Sequence, residues 1–239
     1  MQSNTLPKRV ARGKYQIKET GGIFNVSVDR LLADGSMLSE PENEHLLATI
    51  DAIVMAEYPA GPANMGQHGF SIGGLVGNFG VLVQWMKARG THYFGHLTAV
   101  DLLDFIYDSS CGLDAVLKSQ ERLSKALLGH QANGTKPEDF MQALTEVGIP
   151  HTQNRWLPAA SAMFKNFMAT GHVSPIQESA PNRVSYTFLW TRAKTFQCLW
   201  LHRNQVADGL SFEPSFGDIA KHIKRWGKPK QGTRTLPID

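Results

Sequence analysis

Two helical stripes separated by a hard stop constrain this chain more than anything else in it. Ser71 stands ahead of a run in which Leu75, Val76, Phe79, Leu82, Val83 and Met86 recur at three- and four-residue spacing, and Gly90 ends the run. After a short link, Thr98-Ala99-Val100-Asp101 reads as a capping box. The Thr98 hydroxyl accepts from the Asp101 amide while the Asp101 carboxylate reaches back to the Thr98 N–H. The helix it opens buries Leu102, Leu103, Phe105 and Ile106. Helices with one apolar stripe each must bury it against another element, so this region commits to a helical bundle. Gly73, Gly74 and Gly77 weaken the first helix by about 1 kcal/mol each relative to alanine, and they leave room for another helix to approach closely.

The rest of the chain follows the same periodicity. Residues 42–56 place Leu46, Leu47, Ile50, Ile53 and Val54 at helical spacing, and residues 59–69 form a glycine- and proline-rich loop. Further helices are expected over 113–128, 137–147, 159–169, 185–204 and 216–226, the last of them basic. Asp208-Gly209 marks a turn. Residues 1–22 read as a flexible basic arm, and 23–32 as a short strand or extended packing segment. The expected architecture is mainly α, with no strand-rich region. It divides into a basic arm and acidic helical segment (1–65), a helical domain (66–214) with an insertion at about 130–180, and a basic helix and tail (215–239).

Charge is segregated along the chain although the net value is only +3. Lys8, Arg9, Arg12, Lys14 and Lys18 share residues 1–18 with no carboxylate, residues 29–57 are acidic, and Lys221, Lys224, Arg225, Lys228, Lys230 and Arg234 make the end basic again. Such segregation points to a polyanionic partner more than the net charge does. Two cysteines, Cys111 and Cys198, cannot staple a chain of 239 residues. The first residues hold no apolar leader, and no apolar run approaches the roughly 18 residues of a membrane span. These features predict a soluble cytoplasmic protein with reduced thiols and no membrane partner.

The order of elements resembles a known family. The stretch from Leu75 to Met86, then Gly90, then His96-Leu97-Thr98-Ala99-Val100-Asp101-Leu102-Leu103 is similar to the opening of the core-binding domain of tyrosine recombinases, the phage-integrase-like family. Leu199-Trp200-Leu201-His202-Arg203, followed by Asp208-Gly209-Leu210-Ser211-Phe212-Glu213-Pro214, looks like that domain's last helix and exit turn. Gly232-Thr233-Arg234-Thr235-Leu236-Pro237-Ile238 looks like the linker to the catalytic domain. The resemblance covers roughly residues 66–238, apart from the insertion. It implies a helical module that forms half of a clamp around double-stranded DNA, with further recombinase subunits as partners and without a cofactor or bound metal. Catalysis in that family needs an arginine, a His-x-x-Arg pair and a downstream tyrosine. His222-Ile223-Lys224-Arg225 matches the pair, but Tyr186 is the last tyrosine, so these residues read as part of a basic helix and the chain as non-catalytic on its own.

Half a clamp needs a positive helical face, because phosphate contacts supply affinity and a few groove contacts supply preference. The candidates are Lys87 and Arg89 at the end of the first helix; Arg183, Arg192, Lys194, His202 and Arg203 on or beside the long helix; Lys8, Arg9 and Arg12 in the arm; and Lys221, Lys224 and Arg225 in the last helix. Replacing Arg192 and Lys194 by alanine is expected to weaken duplex binding and leave the melting temperature unchanged. The alternative is a helical protein-interaction adaptor that binds no nucleic acid. Other chemistry finds less support. His92 and His96 are four apart but lie in a link between glycines, Gly73-Gly74-Leu75-Val76-Gly77 lacks the lysine of a phosphate loop, and Cys111 has no evident base.

Overall fold

In the computed structural model the described residues are 8–11, 13–19, 22–58, 71–132, 148, 157–177 and 184–229. Among them the chain runs β1 (Lys8–Ala11), β2 (Lys14–Glu19), β3 (Gly22–Ser27), α1 (Glu44–Glu57), α2 (Ile72–Lys87), α3 (Ala99–Cys111), α4 (Leu113–Val116), α5 (Ser119–Ala132), α6 (Pro158–Thr170), α7 (Tyr186–Leu201) and α8 (Phe216–Trp226). The protein is mainly α, a helical bundle as its periodicity predicts. The helix expected at 137–147 lies outside the described residues. No helix among the described residues is long and apolar enough to cross a membrane.

Both caps form as written in the sequence. The Ser71 hydroxyl accepts from the Gly74 amide at 3.2 Å. Thr98 and Asp101 exchange both bonds of the capping box, at 3.3 and 2.8 Å. The stripe of α2 is buried from Leu75 to Met86, and α2 packs on α1, α7 and β3. An aromatic relay joins the layers. Trp85 on α2 meets Phe105 on α3 edge-on at 5.6 Å, Phe105 meets Phe196 on α7 at 5.9 Å, and Phe196 meets Phe212 in the exit segment at 6.4 Å. Such pairs add about 0.5–1.5 kcal/mol each beyond their burial. The exit turn is locked by Asp208, whose two carboxylate oxygens each accept a backbone N–H, from Phe94 and Gly95, at 2.9 Å. One buried cluster runs from Tyr15 to Ile223 and takes side chains from all three segments of the sequence.

The amino-terminal segment corrects the expectation of a flexible arm. Strands β1, β2 and β3 pair as an antiparallel meander, with Lys8 opposite Gln16, Tyr15 opposite Val26 and Lys14 opposite Ser27. The sequence alternates through Tyr15 and Ile17 and again through Phe24, Val26 and Val28, a period of two that the dense positive charge obscures. Gly13 turns between β1 and β2 at φ +64°, and a Cβ there would stand 3.0 Å from Val28. Tyr15 is fully buried and its hydroxyl donates to Asp51 on α1, which pins the sheet to the bundle.

The helix expected over 113–128 is two helices. Lys118 adopts φ +46°, left-handed backbone that costs a side-chain-bearing residue about 1–2 kcal/mol, and it separates α4 from α5. The break frees Asp114 for another task. Its carboxylate accepts from the Ala159 and Ala160 amides at 3.1 and 3.3 Å and from the Ser119 hydroxyl. Leu157, the residue ahead of α6, has no side-chain acceptor, so Asp114 caps α6 from a distance. The α2 glycines also differ from expectation. A Cβ at Gly73 or Gly77 would meet nothing within 4 Å, whereas one at Gly80 would collide with the Arg30 guanidinium, so the close approach is made by a side chain and not by a second helix.

Asp114→Ala should lower the unfolding free energy by about 1–2 kcal/mol, the range of a lost helix cap. Urea denaturation followed by circular dichroism reads the change.

Candidate nucleic-acid interface

The candidate cations divide by what lies across from them. Lys87 turns inward at the end of α2, its Nζ 3.1 Å from Asp34 and its side chain 5% exposed. Burial alone would raise the Asp34 carboxyl, but the Ser36 hydroxyl and Lys87 overcome it and hold the group below the ordinary range. Arg89 lies over the Trp85 ring at 4.4 Å and donates to Asp108 and to the Val116 carbonyl at 2.9 Å. Trp85 Nε1 shares the same Asp108 oxygen at 2.8 Å. Burial pulls the Arg89 guanidinium below its ordinary value and pushes Asp108 up, each against the attraction of the other.

Arg192 donates to Asn78 Oδ1 at 2.7 Å and stacks at 4.8 Å on Phe188. Burial first, and the charge of Arg30 second, lower its pKa to about 10, which leaves it protonated at neutral pH. His202 is 4% exposed, with Nε2 2.8 Å from Glu57 Oε1. These positions differ from the free surface placement expected of Lys87, Arg89, Arg192 and His202. All four side chains are engaged by internal partners, with His202 buried and the residues Lys87, Arg89 and Arg192 partly exposed. Arg203 is folded over the Trp200 ring at 3.6 Å and donates to the Trp200 carbonyl, which leaves it half-buried. Lys194 is half-buried as well. Arg12 and Arg183 lie outside the described residues. Lys8 and Arg9 are placed on β1, but their side chains are not among those described.

What remains is α8. Ile219 and Ile223, four apart, are buried against α3 and α7. At about 100° per residue, Lys221, Lys224 and Arg225 fall within an arc of about 100° on the opposite side, and all three are exposed. Lys221 forms an exposed i,i+3 pair with Asp218 at 3.1 Å. His222 leans on Trp226 at 4.9 Å, and Trp226 meets Tyr107 of α3 edge-on at 5.3 Å, which fixes the helix on the bundle. The chain then pairs with the entry to α7: Tyr186 N–H donates to the Lys228 carbonyl at 3.0 Å and Lys228 N–H to Val184 at 2.9 Å. Lys228, two residues past the end of α8, is exposed as well. It belongs to the charge run but was not among the candidates, because periodicity stops being informative where the helix ends.

The remaining motifs resolve into structure. His45 of α1 and His96 flank Tyr93 at 4.5 and 5.1 Å with their rings tilted, and His45 Nε2 bonds the His92 carbonyl, so these rings tie the link between α2 and α3 to α1. Burial pushes the Cys111 thiol up, opposite to what a nucleophile needs. Comparison with protein-family models, with curated proteins and with solved structures finds no match for this chain.

Arg192→Ala should therefore lower the melting temperature, against the expectation from sequence. The loss of a charged hydrogen bond and of stacking on Phe188 corresponds to about 1.5–3 kcal/mol, readable by differential scanning calorimetry.

Proposed function

We propose that this chain binds duplex DNA through the exposed face of α8, as a module of the kind found in the core-binding domains of tyrosine recombinases. The observation that carries the reading is the build of α8. It is anchored by Ile219 and Ile223 and turns Lys221, Lys224 and Arg225, with Lys228 beyond its end, toward solvent against the single carboxylate of Asp218. Eleven residues make a helix about 16 Å long, enough to cross a major groove of about 12 Å. Phosphate contacts from such a face give affinity with little sequence dependence.

Two further features support the family reading. The helix opened by Thr98 and the helix that ends beside Arg203 pack directly on one another through Phe105 and Phe196, as one half of a clamp requires. The exit turn at Asp208 is held against the link between α2 and α3, so the order of motifs that carries the resemblance corresponds to a rigid arrangement. On this reading the partners are double-stranded DNA and further recombinase subunits, and the protein works in the cytoplasm where that DNA is.

Four phosphate contacts predict that log affinity for a mixed-sequence duplex falls with log salt at a slope of about −3 to −4. Fluorescence anisotropy should show this slope collapsing when Lys221, Lys224, Arg225 and Lys228 are replaced by alanine together, with the melting temperature unchanged. Absence of duplex binding at about 50 mM salt would remove the reading and leave a helical protein-interaction adaptor.

A further inference from the structure

The interior holds a group of side chains that the DNA-binding reading does not use. Glu57 is the last residue of α1, Cys198 lies in the last turn of α7, and His202 follows one turn later on the same face. Cys198 is fully buried, Glu57 is 1% exposed and His202 is 4% exposed. Glu57 Oε1 is 2.8 Å from His202 Nε2 and 3.6 Å from Cys198 Sγ, and one donor atom from each of the three residues lies within 4.8 Å of the others. No other group of three or more metal-ligating side chains comes together among the described residues.

We propose that Glu57, Cys198 and His202 form a site for a divalent transition metal of the zinc class, which clamps the end of α1 to the end of α7. Zinc takes thiolate at about 2.3 Å and imidazole nitrogen or carboxylate oxygen at about 2.0–2.1 Å in tetrahedral array, which sets sulfur and oxygen about 3.6 Å apart and nitrogen and oxygen about 3.3 Å apart. The first separation is already present between Cys198 and Glu57. The second requires the Glu57–His202 hydrogen bond to open by about half an ångström as the ion binds Nε2, whose proton passes to Nδ1 so that the imidazole stays neutral.

The donor set selects the metal. A thiolate with an imidazole suits zinc, cobalt and their neighbours, whereas calcium and magnesium want oxygen donors throughout. Charge balance favours a divalent ion as well. One carboxylate and one thiolate cancel its two positive charges, and a neutral interior site avoids the several kcal/mol that an uncompensated buried ion costs. The Cys198 S–H bond breaks as the sulfur–metal bond forms, and its proton leaves to solvent. The three ligands join helices far apart in sequence, so metal binding contributes to folding of the bundle.

The test is cobalt titration of the full chain after chelation and under reducing conditions. A single equivalent of cobalt should produce the near-ultraviolet charge-transfer band of a thiolate–cobalt bond and raise the melting temperature. Cys111→Ser should keep both effects and Cys198→Ser should lose both. His202→Gln should weaken cobalt binding by more than the roughly 10–100-fold typical of outer-shell partners. A folded wild-type protein that shows no such band overturns the proposal, as does a band that survives Cys198→Ser or disappears with Cys111→Ser.

Discussion

A guanidinium laid over an indole organises the centre of this bundle. Arg89 closes α2, covers Trp85 and reaches Asp108 on α3 and the carbonyl of Val116 on α4, so one side chain joins three helices. Asp108 completes the arrangement by accepting from the Trp85 indole. The aromatic relay toward Phe196 starts from the same tryptophan, and the position of α7 over α3 therefore depends on this corner. A charge that looks from sequence like a surface contact serves here as an internal joint. Its pairing offsets its desolvation only while all its acceptors stay in place.

The legibility of the fold follows from the range of the interactions involved. The caps at Ser71 and Thr98 are local, made within a single turn, and the sequence around each specifies them completely. The cap that Asp114 gives α6 joins residues 45 apart, and nothing near either of them in the chain announces it; the left-handed turn at Lys118 falls on a residue type that does not mark such a turn. The meander at the amino terminus was hidden for another reason. Its alternation is plain in Tyr15, Ile17, Phe24 and Val26, but Lys8, Arg9, Arg12 and Lys14 just ahead of it give the segment the charge of a solvated arm.

The candidate site shows the same division. Counting charges finds cations but not the acceptors opposite them. Asp34 consumes Lys87, Asn78 consumes part of Arg192, and Glu57 consumes His202, each across a long stretch of sequence. The α8 surface was legible because its cations and its two isoleucines share one short helix with a strong facial contrast. Cys198 and His202 stand one helical turn apart in the sequence, but nothing there brings Glu57 to them, since α1 reaches α7 only through the tertiary fold.

The remote cap on α6 carries a consequence for how this part of the bundle holds together. A helix of 13 residues is marginal on its own in water, and this one begins with amide groups that its own sequence leaves without an acceptor. Those groups are satisfied only with Asp114 of α4 in place. The winding of α6 is therefore coupled to the seating of α4 against it, and whatever loosens one end of that pair loosens the other.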